Sequence, residues 1–212
     1  MAVQPGLRAR KKLQTRQRIF DVAQSLFVEK GFERVSVSEV ARAADVSEVT
    51  VFNYFPSKED LFYGGMQLYE EQLVEAVRDR AKGESAIKVF RRMLLAGADR
   101  LALKQTAEDI RAAGRIISAS PSLIAREREM VDRYVVRLAE LLAEESGAPP
   151  DDVEALAAAS ALMGAQRALV AHVRRRALAG WRGKRLADDY RIQARRALSR
   201  MERGLAGYAV RA

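Results

Sequence analysis

The sequence predicts an all-α fold: an N-terminal three-helix helix-turn-helix domain followed by a C-terminal helical bundle, about nine helices in all. Three observations carry that expectation. Apolar residues recur at helical spacing along the chain. β-Branched residues nowhere alternate with polar ones for long. Side-chain caps, glycines and prolines divide the chain into segments of helical length. With 212 residues, 49% of them hydrophobic, the chain can bury a substantial core, and its length fits one or two domains.

Composition narrows the function classes. A formal charge of +9 and a pI near 10.1 point to a polyanionic partner, nucleic acid first, although a basic membrane-surface protein would have the same totals. Cysteine is absent, which excludes disulfides and thiolate chemistry and fits a cytoplasmic address. No apolar run approaches the roughly 18 residues needed to span a bilayer, and no secretory signal heads the sequence. His172 is the sole histidine, so a histidine-based metal site would need other ligands that this chain does not cluster, and a serine nucleophile has just that one imidazole to pair with. There is no G-x-G-x-x-G or Walker-type loop. No catalytic residue, metal or cofactor is assigned.

Residues 1–9 read as a flexible arm, and Arg8, Arg10, Lys11, Lys12, Arg16 and Arg18 place six cations ahead of the first acid, Asp21. They are either a solvated basic end or phosphate and minor-groove contacts. A first helix over about 11–30 turns Ile19, Ala23, Leu26 and Phe27 inward. Gly31 fits the left-handed position after its end, with Phe32 closing the cap. Ser36 and Glu39 then form an S-x-x-E capping box, Asp45-Val46 marks a tight turn, Ser47 caps a second short helix, and Ser57 with Asp60 opens a third. Two short helices joined this tightly form a helix-turn-helix, whose second helix enters the DNA major groove.

At about 100° per residue, Val51 and Phe55 share one face of the helix over 48–55 and suit a core. Val49, Thr50 and Asn53 lie opposite, with Phe52 and Tyr54 on the flanks. Asn53 can pair with adenine, Val49 can meet a thymine methyl, Thr50 and Tyr54 carry hydroxyls for phosphate, and Glu48 can accept from a cytosine amino group. Periodicity alone also leaves open a small helical hairpin with an ordinary polar face.

Downstream, a long helix runs from Ser57 to about Lys82 with Leu61, Met66, Leu73 and Val77 on its buried side. Gly64-Gly65 inside it is either a close-packing site or a bend point. Ser85 opens a helix carrying Phe90, Met93, Leu94 and Leu101. Thr106 and Asp109 are expected to cap a helix through Ile117, and Ser120-Pro121 starts one that ends near Gly147. Asp151 with Glu154 opens a helix to about Ala179, rich in alanine and glycine, and a last helix covers about 185–208. Arginines 174–176 and the basic residues beyond them are a solvated face, or else capture an acidic ligand group or make a second DNA contact.

The run VSVSEVARAADVSEVTVFNYFPSKEDLF, extended upstream by TRQRIFDVAQSLFVEKGFERV, resembles the DNA-binding segment of the tetracycline-repressor (TetR) family of bacterial transcription regulators. The resemblance covers about the first third of the chain. It implies DNA contacts from Ser36, Ser38, Glu48, Val49, Thr50, Phe52, Asn53, Tyr54 and Lys58. Three departures from the family pattern stand out. Asp45 replaces a usual glycine at a left-handed turn, Val49 replaces a frequent glycine on the groove face, and Phe52 replaces a frequent tyrosine.

The resemblance further implies a division into residues 1–56, the arm and DNA-binding domain, and 57–212, a ligand-binding and dimerisation domain. An apolar pocket is expected from Phe90, Met93, Leu94, Ile110, Gly114, Ile117, Met130, Tyr134, Leu138, Met163 and Gln166, each of which is otherwise plain core. A dimer interface in the last two helices is expected to include Leu162, Leu169, Leu198, Met201 and Leu205. The stretch IISASPSLIAREREMVDRYVVRLAELLAEESG is more weakly similar to a branch that senses acyl-CoA-like molecules. The expected partners are a double-stranded DNA operator, a second copy of the chain and a small apolar or amphipathic effector, with no membrane. The implied role is a cytoplasmic, bacterial, ligand-responsive repressor on a palindromic operator. Rival readings are an activator or ligand-independent regulator of the same fold and, more distantly, a basic helical adaptor at membranes or RNA.

Overall fold

A computed structural model describes residues 6–205, the side chains of Leu7, Gln67 and Leu205 excepted. Among the described residues there are nine α-helices and no strand: α1 (Leu7–Lys30), α2 (Val37–Ala43), α3 (Glu48–Tyr54), α4 (Lys58–Arg78), α5 (Ala86–Leu101), α6 (Lys104–Ser118), α7 (Pro121–Ser146), α8 (Val153–Leu178) and α9 (Gly183–Leu205). They fall into two units. One comprises residues up to Leu68 together with Ile116–Ile124; the other comprises Tyr69–Arg115 and the residues from Ala125 onward. The division runs inside α4 rather than ahead of it, because Leu61, Phe62 and Tyr63 are buried with the core residues of α1 to α3.

The first unit is knotted by aromatic rings. Phe27 of α1 lies 5.2 Å from Phe32 and 5.7 Å from Phe62, and Phe62 meets Phe32 and Tyr63 edge-on at 5.8 and 5.1 Å. Such tilted and T-shaped pairs align positive ring edges with negative faces. Ile19, Ala23, Val40, Val51 and Phe55 complete a core sealed from solvent, while Leu26 is only half-buried. Gly31 ends α1 at φ 81, ψ 154. That is not the left-handed helical region expected but an extended, positive-φ region open in practice to glycine alone. The segment 116–124 is pinned to the same unit by two hydrogen bonds, Tyr63 Oη to the Leu123 carbonyl (3.0 Å) and Ser120 Oγ to Glu33 Oε1 (2.6 Å).

In the second unit the core runs through α5, α8 and α9 with the facing sides of α4 and α7. Tyr190 donates its hydroxyl to the Leu94 carbonyl at 2.8 Å, fixing α9 on α5. The buried Arg80 guanidinium reaches the Val77 and Glu84 carbonyls and forks onto Glu145, joining the ends of α4 and α7. Glu70, only 2% exposed, is a carboxylate in this core. Burial pushes its pKa up to about 7, with the Glu127 charge adding to the rise and Arg133 and a hydrogen bond from Gln166 opposing it.

Several boundaries differ from expectation. α1 starts at Leu7, since L-R-A-R-K-K-L is made of strong helix formers that need no further signal, so three residues of the supposed arm are helical. Residues 1–5, and the residues beyond 205 into which the last helix is expected to run, lie outside the described residues. α6 starts at Lys104, which puts Thr106 inside the helix, and Asp109 accepts from Gln105 (2.8 Å) instead of capping. The cap of α8 is Asp152, whose Oδ2 accepts from Ala155 N at 2.8 Å, one residue beyond the expected Asp151. α4 ends at Arg78, not near Lys82. The expectation about apolar runs also needs correcting: α8 is long and apolar enough to cross a membrane by length and composition, because alanine raises its average. Leu162, Met163 and Leu169 are core side chains of the second unit, while Leu156 and Leu178 are exposed.

Helix α4 is continuous through Gly64-Gly65. A Cβ on Gly64 would stand 2.8 Å from Phe55 Cε1 and 3.2 Å from Phe20 Cδ2, so this glycine is a close-approach site; at Gly65 the nearest atom would be an ordinary 3.4 Å away. Gly64→Ala is therefore expected to destabilise the protein by about 1–3 kcal/mol through overpacking. Gly65→Ala is expected to be neutral or to stabilise by up to about 1 kcal/mol. Urea denaturation of the two variants checks the contrast. A second expectation concerns Glu70. With its folded pKa near 7 above an ordinary 4.5, the folded state binds the extra proton between those values, so stability falls as pH rises through that window. Glu70→Gln should match the parent near pH 5 and exceed it at pH 8 by about 2–3 kcal/mol, read from denaturation curves at the two pH values.

Candidate nucleic-acid interface

The candidate interface begins with two caps and one turn. Ser36 Oγ accepts from Glu39 N (3.1 Å) to start α2, and Ser47 Oγ accepts from Thr50 N (3.1 Å) to start α3. The Glu39 carboxylate takes a 2.6 Å ion pair from Lys30, whose hydrogen bond is the main reason its pKa sits low; the Ser36 backbone N–H adds to the effect. That completes the capping box and ties α2 to the end of α1. Between α2 and α3, Asp45 takes φ +52, a left-handed conformation. Val46 N reaches Ala41 O (3.0 Å) and Asp45 N reaches Arg42 O (3.2 Å), the paired bonds of a Schellman ending.

These bonds fix which side of α3 faces out. Val51 and Phe55 are each 1% exposed, Val49 is 69% and Phe52 46% exposed, and Glu48 and Asn53 are exposed between them. Thr50 and Tyr54 are half-buried, and the Thr50 hydroxyl already exchanges a 2.8 Å hydrogen bond with Ser47. Ser36 is exposed at the start of α2, while Ser38 is half-buried within it. Lys58 is more constrained than its sequence suggests. Its ammonium donates to the Phe32 and Val35 carbonyls (3.1 and 3.2 Å) and lies 4.2 Å over the Phe32 ring, so it closes the loop between α1 and α2.

A cationic surface adjoins these residues in the first unit. Arg8, Arg10, Lys11, Lys12 and Arg18 project exposed from the first turns of α1. Arg16 is instead held 4.8 Å over the Phe55 ring, so the stem of α1 helps seat the end of α3. Exposed apolar side chains, an amide and a row of cations together suit a surface that desolvates against base edges and neutralises phosphates.

Among the residues expected to line a pocket, Phe90, Leu94, Tyr134, Leu138 and Met163 join one core cluster of the second unit, with Met93 and Ile110 packed against it. Met130 is fully buried and Gln166 is 3% exposed. Gly114 is closed over by Arg174, whose Cγ would stand 2.9 Å from an added Cβ. Ile117 belongs with the first unit, in the pinned segment 116–124. Sequence reasoning missed Glu70, although a signal was there: it lies four residues after Met66 and three before Leu73, on the stripe marked as buried.

The interface expectation needs a correction. Leu162, Leu169 and Leu198 are 1%, 4% and 0% exposed in the single chain, so they are core and have little surface left for a second copy. Met201 is half-buried and the side chain of Leu205 lies outside the described residues. The outward side of α8 is instead Val153, Leu156, Ala157, Ala161 and Ala168, with the half-buried Gly164 open on its Cβ side, and Ile192 projects from α9.

Comparison with known proteins agrees with this geometry. A sequence model described as "Bacterial regulatory proteins, tetR family" matches residues 19–63, the stretch from the core of α1 to the buried start of α4. The chain is 28% identical over 157 residues to the HTH-type transcriptional regulator TcmR of Streptomyces glaucescens, covering 70% of this chain and 67% of that protein. A TetR transcriptional regulator from a Rhodococcus species shares the fold with a TM-score of 0.55 at 21% identity, over 91% of this chain and 98% of that one. The TetR-family repressor FadR of Thermus thermophilus, solved with lauroyl-CoA, has a TM-score of 0.51 at 26% identity, over 86% and 93% of the two chains. With its capped helix-turn-helix, its outward α3 and these relatives, the chain belongs to the TetR family of DNA-binding transcription regulators.

Proposed function

We propose that the chain is a ligand-responsive repressor that binds a palindromic operator as a homodimer, with α3 lying in the major groove. The observation that carries this reading is the split of α3 into an anchored side, Val51 and Phe55, and a bare side, Val49, Phe52 and Asn53. Asn53 supplies paired hydrogen bonds to an adenine, Val49 and Phe52 supply apolar contact to thymine methyls, and Glu48 accepts from a cytosine amino group. Ser36, Ser38, Thr50 and Tyr54 act on phosphate, together with the exposed cations of α1. Lys58 contributes chiefly by holding the loop before α2, with one ammonium proton left for phosphate.

Dimerisation doubles these contacts and sets two α3 helices about one DNA turn apart. The outward, small-residue side of α8 around Ala157, Ala161 and Ala168, with Ile192 of α9, supports a close helix-to-helix seam between copies. The effector is a small apolar or amphipathic molecule held by the second unit. Binding of lauroyl-CoA by FadR supports an apolar ligand class. Induction works by differential affinity: the effector prefers the form whose reading helices are wrongly spaced, and shifts the population by that preference. Two routes reach the first unit, through α4 and through the segment 116–124 that Tyr63 and Glu33 pin there. The protein acts in the bacterial cytoplasm.

The test is binding to the DNA upstream of its own gene in the presence of excess competitor. A protected, symmetric site that survives competitor is expected; sequence-indifferent retention that collapses with salt would contradict the reading. On that site Asn53→Ala should cost about 1–3 kcal/mol of discrimination at one base position in each half-site and leave the salt slope unchanged. Lys58→Ala should weaken all duplexes alike and lower the melting temperature as well, since it also unties the Phe32 and Val35 carbonyls. A base-specific loss at Lys58 would refute its assigned role.

A further inference from the structure

Glu70 of α4 lies in the second unit, 2% exposed, and one of its two oxygens is without a donor. Gln166 of α8 hydrogen-bonds the carboxylate through its side-chain amide, but Oε2 is sealed from solvent with no hydrogen-bond partner among the described residues. The charged groups around it do not make good the shortfall. Arg174 is closed in a fork on Glu127 at 2.7 and 3.1 Å, and Arg133, exposed on α7, acts on Glu70 only through its field. Burial raises the phenols of Tyr134 and Tyr69, and the Glu70 charge adds to both rises. Tyr134 and Gln166 are two of the side chains expected to line a ligand pocket, and both act on Glu70.

We propose that Glu70 is the polar anchor of the effector site, and that the effector is a small apolar molecule carrying one organic ammonium group whose N–H donates to Glu70 Oε2. This assignment rests on the reading of the second unit as a ligand-binding domain and adds the chemical class of the ligand. Three arguments favour a cation. A charge-assisted N–H···O bond is about twice as strong as a neutral one, and a buried carboxylate gains most from a donor that also cancels its charge. Gln166 donates to the carboxylate and Arg133 favours it, so two neighbours already work against the burial that pushes its pKa up to about 7, and a bound cation adds to their side. A carboxylate or carbonyl ligand would require the proton to stay on Glu70, and an anionic one would also bring negative charge towards Glu127. The apolar body is required because the surrounding side chains are core.

The experiment uses the full chain and a matched trio: octylamine, 1-octanol and octanoate, each below its aggregation limit. The readouts are the melting temperature of the protein and release of its operator DNA. Octylamine is expected to raise the melting temperature, and to release DNA, at concentrations at least tenfold below those needed with 1-octanol, with octanoate weakest. Glu70→Gln, which keeps the shape and a Gln166 contact, should bring octylamine and 1-octanol to within about twofold of each other. Gln166→Leu, which removes the other half of the polar pair but keeps the charge, should retain the amine preference. Equal effects of octylamine and 1-octanol on the parent protein, the best effect from octanoate, no effect of octylamine, or an amine preference that survives Glu70→Gln would each overturn the proposal. Operator binding by the parent without any added compound is scored separately. If it is specific while the amine fails, the anchor is wrong and the regulator reading stands; if it is absent, the regulator reading itself fails.

Discussion

The seat of Phe55 is the contact on which the DNA-facing surface depends. The residue ends α3, turns its ring inward to 1% exposure, and is held between the Arg16 guanidinium and the bare backbone of Gly64. Burying a phenylalanine contributes about 2–3 kcal/mol, and here the gain also sets a rotation. With Phe55 and Val51 pointing in, geometry at 100° per residue leaves Val49, Phe52 and Asn53 no choice but to point out. A two-turn helix has no independent stability, so its orientation comes wholly from such anchors and from its Ser47 cap.

What could be read in the sequence was mostly local. Ser36, Ser47, Ser57 and Ser120 each cap the helix that the sequence expects them to open. Asp45 adopts a left-handed conformation because the paired bonds from Asp45 and Val46 to the end of α2 need one. These features depend on residues within five positions of one another, and sequence displays such relations directly. The aligned inward and outward faces of α3 were legible for the same reason.

The rest depended on partners far along the chain. Nothing near Lys58 announces that two of its protons go to carbonyls 26 and 23 residues back. The Glu33–Ser120 and Tyr63–Leu123 bonds, spanning 87 and 60 residues, explain why the turn between α6 and α7 belongs with the reading head, and no local pattern contains them. On α8 the difficulty was different. An alanine-rich helix has weak contrast between its faces, so the sequence does not show that Leu162 and Leu169 fill the core of the single chain while Ala157, Ala161 and Ala168 lie on the outer surface. Glu70 was hidden by its own neighbours: in the run Glu70-Glu71 one carboxylate is exposed and ordinary, and only helical phase separates it from the buried one.

Because the chain contains no cysteine, a single reactive thiol can be placed anywhere without competition. Asn53→Cys carrying a DNA-cleaving iron chelate reports where the outer face of α3 sits on a bound duplex. Strand scission at two symmetric positions about one helical turn apart, absent when the same chelate is carried by Ile192→Cys on α9, is the result this account predicts. Scission spread evenly along the duplex, or equal from both positions, would contradict it.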